Sequence, residues 1–548
     1  MSLFYSRILW FFSGIGLILC SALAYKKTTI LIELVFYSFN SVQFAFPFIL
    51  DVIRVIFFSI VALISANVLQ LSNLYMEDEV YVDRFIYLVL LLIGSIAAFI
   101  FIPHITALLL GWDGLGLVSF LLVTFYASPK SLSAGIFTAL SNRIGDALIL
   151  IRISLMYELS YHLDTIRFIG QPVGGLLLIV AAMTKRAQLP FSGWLPAAME
   201  APTPVSALVH SSTLVTAGVY LIIRFYPFLR NSFFFNKLIL SIGAITRLFA
   251  GMRAMVELDL KKIIALSTLS QLGLILMRIG LGFPFLAFFH LIAHAMFKAL
   301  LLICAGCLIH LHGHAQDIRQ IGGVRDQFPV IISSFSLSRF ALCAVPFIAG
   351  FYSKDAILEA FFFSPLRIVV VIVAIRSTFF TRIYSARLIV NALFSSQKSP
   401  RSSRFCEPIV LPIVTLSLGA ILGGSVITCR IGPLAFESFR PFPKILLAFL
   451  LFFGPILVLI SRGTKRFNFW ADLSKAYCSA GRGMFFLTPL VTQKVLYTVN
   501  GPSRSLCHFD QSWLEKGQIE ILRSKRSGFI NIMVRRGLLI TVGVLRMF

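Results

Sequence analysis

The sequence predicts an all-helical membrane protein that crosses the bilayer about 14–16 times. Of its 548 residues, 58% are apolar and only 13% are charged, whereas soluble domains are nearer ~45–50% apolar. The mean hydropathy is +0.90. Apolar runs of about 20 residues recur along nearly the whole chain, and each is long enough to cross ~30 Å of hydrocarbon as a helix. These three observations exclude a soluble globular class.

The apolar runs in the N-terminal third of the chain predict a series of regular membrane spans. An apolar run at 8–24 is followed by Tyr25, Lys26 and Lys27 without a small-residue cleavage site, so we expect a retained first span. Residues 28–47 are rich in β-branched and aromatic residues around a Ser-Phe-Asn-Ser turn, which predicts a short hairpin at the membrane face. The next spans are predicted at 48–70, 84–102, 104–126 and 133–158.

The stretch 181–215 interrupts this regular pattern. Four prolines fall within fifteen residues there, and each removes a backbone donor and breaks the helical ladder: Pro190, Pro196, Pro202 and Pro204. A broken helix is therefore predicted at 174–200, followed by a span at 203–224. Irregular backbone at membrane depth survives only beside protein or a water-filled cavity. Lys185, next to this break, is a candidate for a transport path.

The second half repeats the pattern of spans and one break. Lys354 lies beside Gly350 and Pro346, much as Lys185 lies beside Pro190, and one lysine-bearing interruption in each half is what inverted repeats predict. Residues 464–528 are polar, and 529–548 form a weak apolar segment. The remaining segments are predicted at 236–256, 262–281, 284–309, 329–349, 352–364 (the interruption), 366–394, 409–428 and 444–461.

Titratable residues within these apolar runs are candidates for proton transfer, because a lone charge in hydrocarbon costs from ~3 to above 10 kcal/mol. Asp113 is the only acid in its run and is predicted to pair with Lys185. The position of such a carboxylate decides whether the amine keeps its proton. A purely structural pair is the alternative. Arg143 and Asp146 lie three residues apart, which favours a structural ion pair on one helix face.

His290, His294 and Lys298 recur at i, i+4 and i+8 and so share one helix face. We call these three residues the central file. Imidazole accepts and donates protons near neutral pH, and water can bridge neighbouring groups. A single buried histidine is usually a core residue, but three titratable groups on one face favour proton transfer. His210 is a further relay candidate between Lys185 and the central file.

Four separated motifs closely resemble, in composition and in order, those of the proton-pumping, antiporter-like subunits of respiratory complex I. They are TKRAQLPFSGWLPAAMEAPTPVSALVHSSTLVTAG (184–218), ELDLKKIIALSTLSQLG (257–273), HLIAHAMFKALLLICAG (290–306) and FYSKDAILE (351–359). The resemblance implies two inverted five-helix units, with Lys298 as the central proton site. It places Lys354, with Asp355, at the proton outlet, where an adjacent surface ion pair is the alternative.

The resemblance also implies the organisation of the chain and its setting. The implied domains are the N-terminal spans and hairpin at 1–103, antiporter-like repeats at 104–235 and 236–395, and C-terminal spans with a lateral extension at 396–548. NADH, FMN, iron–sulfur clusters and ubiquinone would be bound by partner subunits. We expect no cofactor or metal in this chain, and we find no Walker loop, haem-attachment motif or dinucleotide fingerprint. The expected partners are neighbouring antiporter-like subunits and lipid in the mitochondrial inner membrane.

Two other functions stay open. The chain could be a subunit of a multi-subunit cation/proton antiporter, which shares the central motifs, or a channel or structural membrane subunit without transport of its own. Copurification with flavin, iron–sulfur and quinone subunits would support only the complex I interpretation.

Several other residues receive structural interpretations. Glu200, between two prolines, is expected to be mainly a loop residue, although a direct role stays open. Cys304 and Cys307 are expected to act as small residues at helix contacts. His310, His312 and His314 form an HLHGH run without a fourth ligand at recognisable spacing, so a metal site is the weaker interpretation.

Arginines within the predicted spans raise a question about the sequence itself. At ~2.5–3.5 kcal/mol each, six such charges would cost on the order of 15–20 kcal/mol. Serine suits these places, because it is small and bonds the preceding helical carbonyl. Invertebrate mitochondria commonly read AGA and AGG as serine, whereas other code tables give arginine. We therefore predict that a subset, including Arg186, are serines: Arg152, Arg186, Arg247, Arg278, Arg339 and Arg376.

Overall fold

The computed structural model describes most of the chain up to residue 431. The described residues are 2–39, 42–77, 79–158, 172–230, 234–313, 315–322, 328–363, 368–394 and 410–431, with short pieces at 449, 451–456 and 458. All of them belong to one compact unit, Met1–Met484, whereas the unit Phe485–Phe548 lies outside the described residues.

Sixteen α-helices make up most of the described part. They are α1 Ser2–Lys26, α2 Val52–Tyr75, α3 Val82–Phe101, α4 Ile105–Val123, α5 Pro129–Glu158, α6 Pro172–Lys185, α7 Trp194–Ala197, α8 Thr203–Leu208, α9 Leu214–Leu229, α10 Phe235–Val256, α11 Leu260–Gly280, α12 Pro284–Leu311, α13 Pro329–Cys343, α14 Ala356–Phe363, α15 Ile368–Phe394 and α16 Val410–Ile431. Within the described ranges, nine helices are long and apolar enough to cross a membrane, and four shorter helices are also apolar. The predicted helical, multi-pass membrane class is confirmed.

The predicted hairpin follows the first helix. Strand β1 (Ile30–Phe39) pairs antiparallel with β2 (Val42–Leu50), and the register sets Phe39 opposite Val42. The β-branched and aromatic residues of this stretch favour extended pairing over a helix. Only Asp51 separates β2 from the first residue of α2, so the hairpin lies at the end of a span, as the sequence predicts.

Helices α11 and α12 form the centre of the unit. The apolar window of α11 is wholly buried, and that of α12 is 94% buried. A glycine contact brings α10 close to α11, because a Cβ on Gly243 would lie only 2.8 Å from the Gly273 carbonyl oxygen. Small residues allow such close backbone approach in lipid. The central file on α12 therefore lies inside the protein and not at its lipid-facing surface.

The first predicted break occurs directly after Lys185, where α6 ends. Ala187 takes a left-handed conformation with φ 52°. The end of a helix leaves backbone carbonyls without intrahelical donors. One of them, on Thr184, accepts a hydrogen bond of 2.9 Å from the Trp194 indole. The interrupted segment therefore supplies its own hydrogen-bond donor, Trp194, to a carbonyl at the end of the helix.

Two predicted continuous spans are interrupted in the structure. The span at 203–224 contains a π-helical turn, Val209–Thr213, in which the Thr213 hydroxyl donates 3.0 Å to the Leu208 carbonyl. Such side-chain bonds compete with the backbone ladder. The span at 329–349 ends at Cys343, because Pro346 disfavours helix at the preceding residue and Ala344 is left-handed, with φ 62°.

The arginines in the spans divide into two groups. Arg376 lies in α15 but is exposed on the outer surface of the described unit. The other five are buried, and the structure adds Arg54 and Arg382 to them. Among the residues that the structure describes, no side-chain nitrogen of three of these buried arginines has a hydrogen-bond partner: Arg186, Arg247 and Arg339.

Candidate functional site

Lys185 is fully buried at the last residue of α6. Its Nζ donates a hydrogen bond to the backbone carbonyl of Trp112 on α4 and lies 4.0 Å from the centroid of the Trp112 ring. The face of an indole ring attracts a cation, and the effect is larger where water is excluded. The ammonium is thus held by a peptide dipole and a ring face.

The predicted direct ion pair between Asp113 and Lys185 is wrong. The Asp113 carboxylate instead lies 2.8 Å from the guanidinium of Arg143, and both side chains are partly exposed. Neighbouring helical residues do not face the same way. Because Trp112 faces Lys185, the adjacent Asp113 points elsewhere.

Asp146 takes the place predicted for Asp113. It accepts a hydrogen bond of 2.8 Å from the indole of Trp112, the same ring whose face lies next to the Lys185 ammonium. The predicted contact between Arg143 and Asp146 is confirmed at 3.4 Å. The sequence alone does not single out Asp146 as a partner of Lys185, because a carboxylate with a cation three residues away indicates an ion pair that is already neutral.

This geometry ranks two substitutions. Asp146→Asn is expected to reduce proton transfer about tenfold more than Asp113→Asn, because only Asp146 contacts the ring that holds Lys185. Asp146→Asn combined with Lys185→Ala should cost less than the sum of the two single losses, since residues that act as one unit are not additive. The measurement is proton uptake by sealed vesicles containing each assembled variant. Equal losses for the two aspartates would contradict the ranking.

The central file is buried along one face of α12. The His290 and His294 ring centroids lie 6.2 Å apart. Lys298 donates a hydrogen bond to the Ser267 hydroxyl of α11, which donates 2.6 Å to the Ile264 carbonyl. Neither ring nitrogen of His294 has a hydrogen-bond partner within the described ranges. Three titratable groups are thus placed in sequence at the centre of the unit.

Lys354 lies in the second interrupted segment, a π-helical turn at Phe351–Asp355. Its Nζ donates 2.8 Å to the Leu342 carbonyl and 3.3 Å to the Thr381 hydroxyl. Leu342 belongs to the last turn of α13, where the carbonyls lack intrahelical donors and the helix dipole places a negative partial charge. The lysine therefore caps a broken helix. Asp355 is 9% exposed, which makes the alternative of a surface ion pair wrong.

The structure joins only some of the predicted residues. The Ser353 hydroxyl lies 2.9 Å from His290 Nδ1, so the central file is in contact with the segment that carries Lys354. The backbone of His210 lies in the π-helical turn that packs against α12, but its side chain lies outside the description. No described contact connects the Lys185 group to the central file.

Four residues in these contacts escaped sequence reasoning: Trp112, Asp146, Ser267 and Ser353. Serine and tryptophan in an apolar helix carry no signal of their own, because serine is common at helix contacts in membranes and tryptophan is common at the membrane–water interface. Their partners come from other helices and become visible only after folding.

The remaining candidates make structural contacts. His312 lies within hydrogen-bond distance of the Leu308 and Gly322 carbonyls, at the end of α12. The Glu200 carboxylate lies 4.0 Å from the Lys262 ammonium, and both are partly exposed. The Cys304 thiol contacts the Ser334 hydroxyl of α13 at 3.1 Å. His314 lies outside the described residues.

Family models match most of the chain. One, described as NADH:quinone oxidoreductase/Mrp antiporter, TM, matches residues 103–381, and another, described as NADH dehydrogenase subunit 5 C-terminus, matches residues 384–534. Similar curated relatives carry the name NADH-ubiquinone oxidoreductase chain 5. The protein of Lumbricus terrestris is 44% identical over 78% of this chain and 75% of its own length. That of Locusta migratoria is 43% identical over 87% of this chain and 86% of its own length.

Two solved structures share the fold. A chain of the Mrp complex from Dietzia matches with a TM-score of 0.73 and 25% identity, covering 100% of this chain. This chain spans 61% of the length of that Mrp chain. The membrane-bound sulfane sulfur reductase, an archaeal respiratory membrane complex, matches with a TM-score of 0.64 and 19% identity over 82% of this chain and 95% of its own.

Proposed function

Because the chain belongs to the NADH-ubiquinone oxidoreductase chain 5 family, within the NADH:quinone oxidoreductase/Mrp antiporter group, we propose that it translocates protons as a membrane subunit of that enzyme. The proposed path is made of buried titratable side chains, and redox chemistry in other subunits drives it. The residues of the path are Asp113, Asp146, Lys185, His210, His290, His294, Lys298, Lys354 and Asp355.

The central file is the observation that carries this proposal. Its three members are each at most 1% exposed, and both ring nitrogens of His294 lack a protein partner among the described residues. Buried polar groups are satisfied by water where protein supplies no partner. A buried row of titratable groups is costly in a membrane helix and supports transfer better than a structural role.

The first half of the path has a charge that can change partners. Arg143 lies 2.8 Å from Asp113 and 3.4 Å from Asp146. When Arg143 moves toward Asp146, its guanidinium weakens the attraction of that carboxylate for Lys185, and the ammonium passes its proton to the next acceptor of the path. When Arg143 leans toward Asp113, Asp146 stabilises the ammonium again. Asp113 therefore acts on Lys185 through Arg143.

The electron-transfer chemistry belongs, in this proposal, to partner subunits. NADH, FMN, iron–sulfur clusters and ubiquinone would be bound there, and this chain would carry no redox group. Neighbouring antiporter-like subunits would contact it in the mitochondrial inner membrane. The names of the relatives from Lumbricus and Locusta contain NADH, ubiquinone and a chain number, which fits one chain of a larger NADH:ubiquinone oxidoreductase.

A cation/proton antiporter subunit is the second candidate function, because the fold match to the Mrp complex has a TM-score of 0.73. The two functions differ in their energy source. An antiporter exchanges protons for another cation without NADH, whereas the proposed subunit moves protons only during NADH oxidation.

Purification of the native complex from its membranes tests the proposal. We expect the chain to copurify with flavin and iron–sulfur subunits, and vesicles of the complex to acidify when NADH and quinone are added. Replacing Na⁺ by K⁺ should leave that acidification unchanged. Proton movement driven by a Na⁺ gradient in the absence of NADH would instead identify the antiporter.

A further inference from the structure

The contact between the central file and the second interrupted segment is made by one hydroxyl group. Ser353 is fully buried, and its Oγ lies 2.9 Å from His290 Nδ1. The same oxygen lies 3.2 Å from the Ala349 carbonyl oxygen, to which the hydroxyl can donate. Ser353 therefore has one proton and two acceptors for it, and one of these acceptors is a titratable ring.

The π-helical turn at Phe351–Asp355 gives Ser353 this position. Ser353 faces His290, while the next residue, Lys354, donates to the Leu342 carbonyl of α13. Adjacent residues of a helical turn point in different directions. The turn thus presents a hydroxyl to the central file and an ammonium to the broken helix.

We propose that Ser353 is a positioning residue that holds the His290 imidazole in hydrogen-bond contact in each of its protonation states. The inference rests on the proposed function, because it concerns the same path. It assigns to Ser353 a role in which the hydroxyl changes its hydrogen-bond direction as the proton on His290 moves.

The hydrogen-bond capacity of the group supports three states. When Nδ1 of a neutral His290 is unprotonated, the Ser353 hydroxyl donates to it, and the proton on the ring is on Nε2. When Nδ1 carries the proton, it donates to Ser353 Oγ, and the hydroxyl donates to the Ala349 carbonyl. The imidazolium uses this second arrangement with both ring nitrogens as donors.

A methyl side chain at this position supports none of these states. Nδ1 would lose the partner that it has in the structure, and a buried imidazolium without a partner is strongly disfavoured. A hydroxyl adapts to both directions because its proton rotates. The conclusion is that a hydroxyl side chain, and not serine as such, is required.

The test compares three variants in the assembled complex. Ser353→Ala is expected to lower the number of protons moved per NADH oxidised about tenfold, as fits the loss of a hydrogen bond to a charged group. Ser353→Thr, which keeps the hydroxyl, should restore most of the pumping. Ser65→Ala is the matched control, since Ser65 is also fully buried and donates 2.9 Å to Ala62 of its own helix. It should pump normally.

A double substitution separates this role from simple packing. If Ser353 acts through His290, then Ser353→Ala added to His290→Ala costs no further pumping. Normal pumping by Ser353→Ala, or failure of Ser353→Thr to restore it in an assembled complex, overturns the proposal. Lys298→Ala, measured beside these variants, distinguishes failure of the Ser353 proposal from failure of the proposed proton path. If it stops pumping while Ser353→Ala does not, only the Ser353 role fails, and if neither has an effect, the proposed path fails.

Discussion

Lys298→Ala is expected to lower NADH-driven proton pumping about a hundredfold, the lower range for loss of a general acid or base. Lys298 is fully buried on α12, and the Ser267 hydroxyl of α11 is its hydrogen-bond acceptor. Lys298 is the one amine in the central file, whose other two members are imidazoles. If electron transfer is tightly coupled to pumping, NADH oxidation falls with it.

We expect the variant to assemble. Truncating a buried side chain to alanine leaves a cavity that costs ~2–5 kcal/mol, but the same change removes a charge that costs several kcal/mol in hydrocarbon. The two effects oppose each other. The measurement is acidification of sealed vesicles per NADH oxidised, with the amount of assembled complex determined in parallel.

Lys298→Arg is the informative companion variant. Arginine keeps the positive charge but does not release its proton at physiological pH. Pumping should therefore fall in this variant as well, although the charge remains. Normal pumping by an assembled Lys298→Ala complex would contradict the proposal that the central file transfers protons. Normal pumping by Lys298→Arg alone would show that charge, and not proton release, is what position 298 supplies.

Serine is expected at positions 186, 247 and 339 when peptides of the isolated subunit are read by mass spectrometry. The arginines written there are fully buried, and none of their side-chain nitrogens has a hydrogen-bond partner among the described residues. Three such charges would cost on the order of 8–10 kcal/mol. That cost is comparable with the whole stability of an ordinary domain.

The surroundings of these positions suit a small side chain. The Arg186 side chain lies against Gly218 of α9, where a Cβ on the glycine would be 2.5 Å from the Arg186 Cγ. Serine needs no outside partner, because its hydroxyl bonds a carbonyl of its own helix. Ser338, directly before Arg339, does so at 2.7 Å to the Phe335 carbonyl.

Arginines with carboxylate partners provide the control. They are expected to be read as arginine in the same spectra: Arg143, Arg224, Arg253 and Arg319. AGA or AGG codons should encode the first group and CGN codons the second. Arginine masses at positions 186, 247 and 339 would contradict the prediction and require the interior to accommodate the charges.

The sequence predicted the helices well, because the length of an apolar run is a local property, and the thickness of the bilayer sets the length that a spanning helix needs. It also predicted both breaks, at Lys185 and before Lys354, from proline and glycine. It did not predict that Asp146, and not Asp113, would contact the Trp112 ring beneath Lys185. Which of two carboxylates faces a lysine depends on the rotation of separate helices, and that rotation is set by packing across the whole unit.

The π-helical turns were missed for a similar reason. Their formation at Val209–Thr213 and Phe351–Asp355 depends on hydroxyl and backbone bonds that compete within a fraction of a helical turn. The titratable residues of the central file were identified from spacing alone, because one helix determines their common face. The hydroxyl partners of the file could not be, since Ser267 and Ser353 lie on other segments.

The tight packing around Gly350 restricts which mutations can persist at this position. A Cβ at this position would lie 1.8 Å from the Ala341 carbonyl oxygen, a contact that backbone atoms cannot relieve without opening the end of α13. Even alanine, the smallest replacement, would displace the Ala341 carbonyl, which is adjacent to the Leu342 carbonyl that Lys354 caps. Missense changes in codon 350 should therefore be selected against, whereas codon 423 should tolerate alanine better, because a Cβ at Gly423 would meet no described atom within 4 Å.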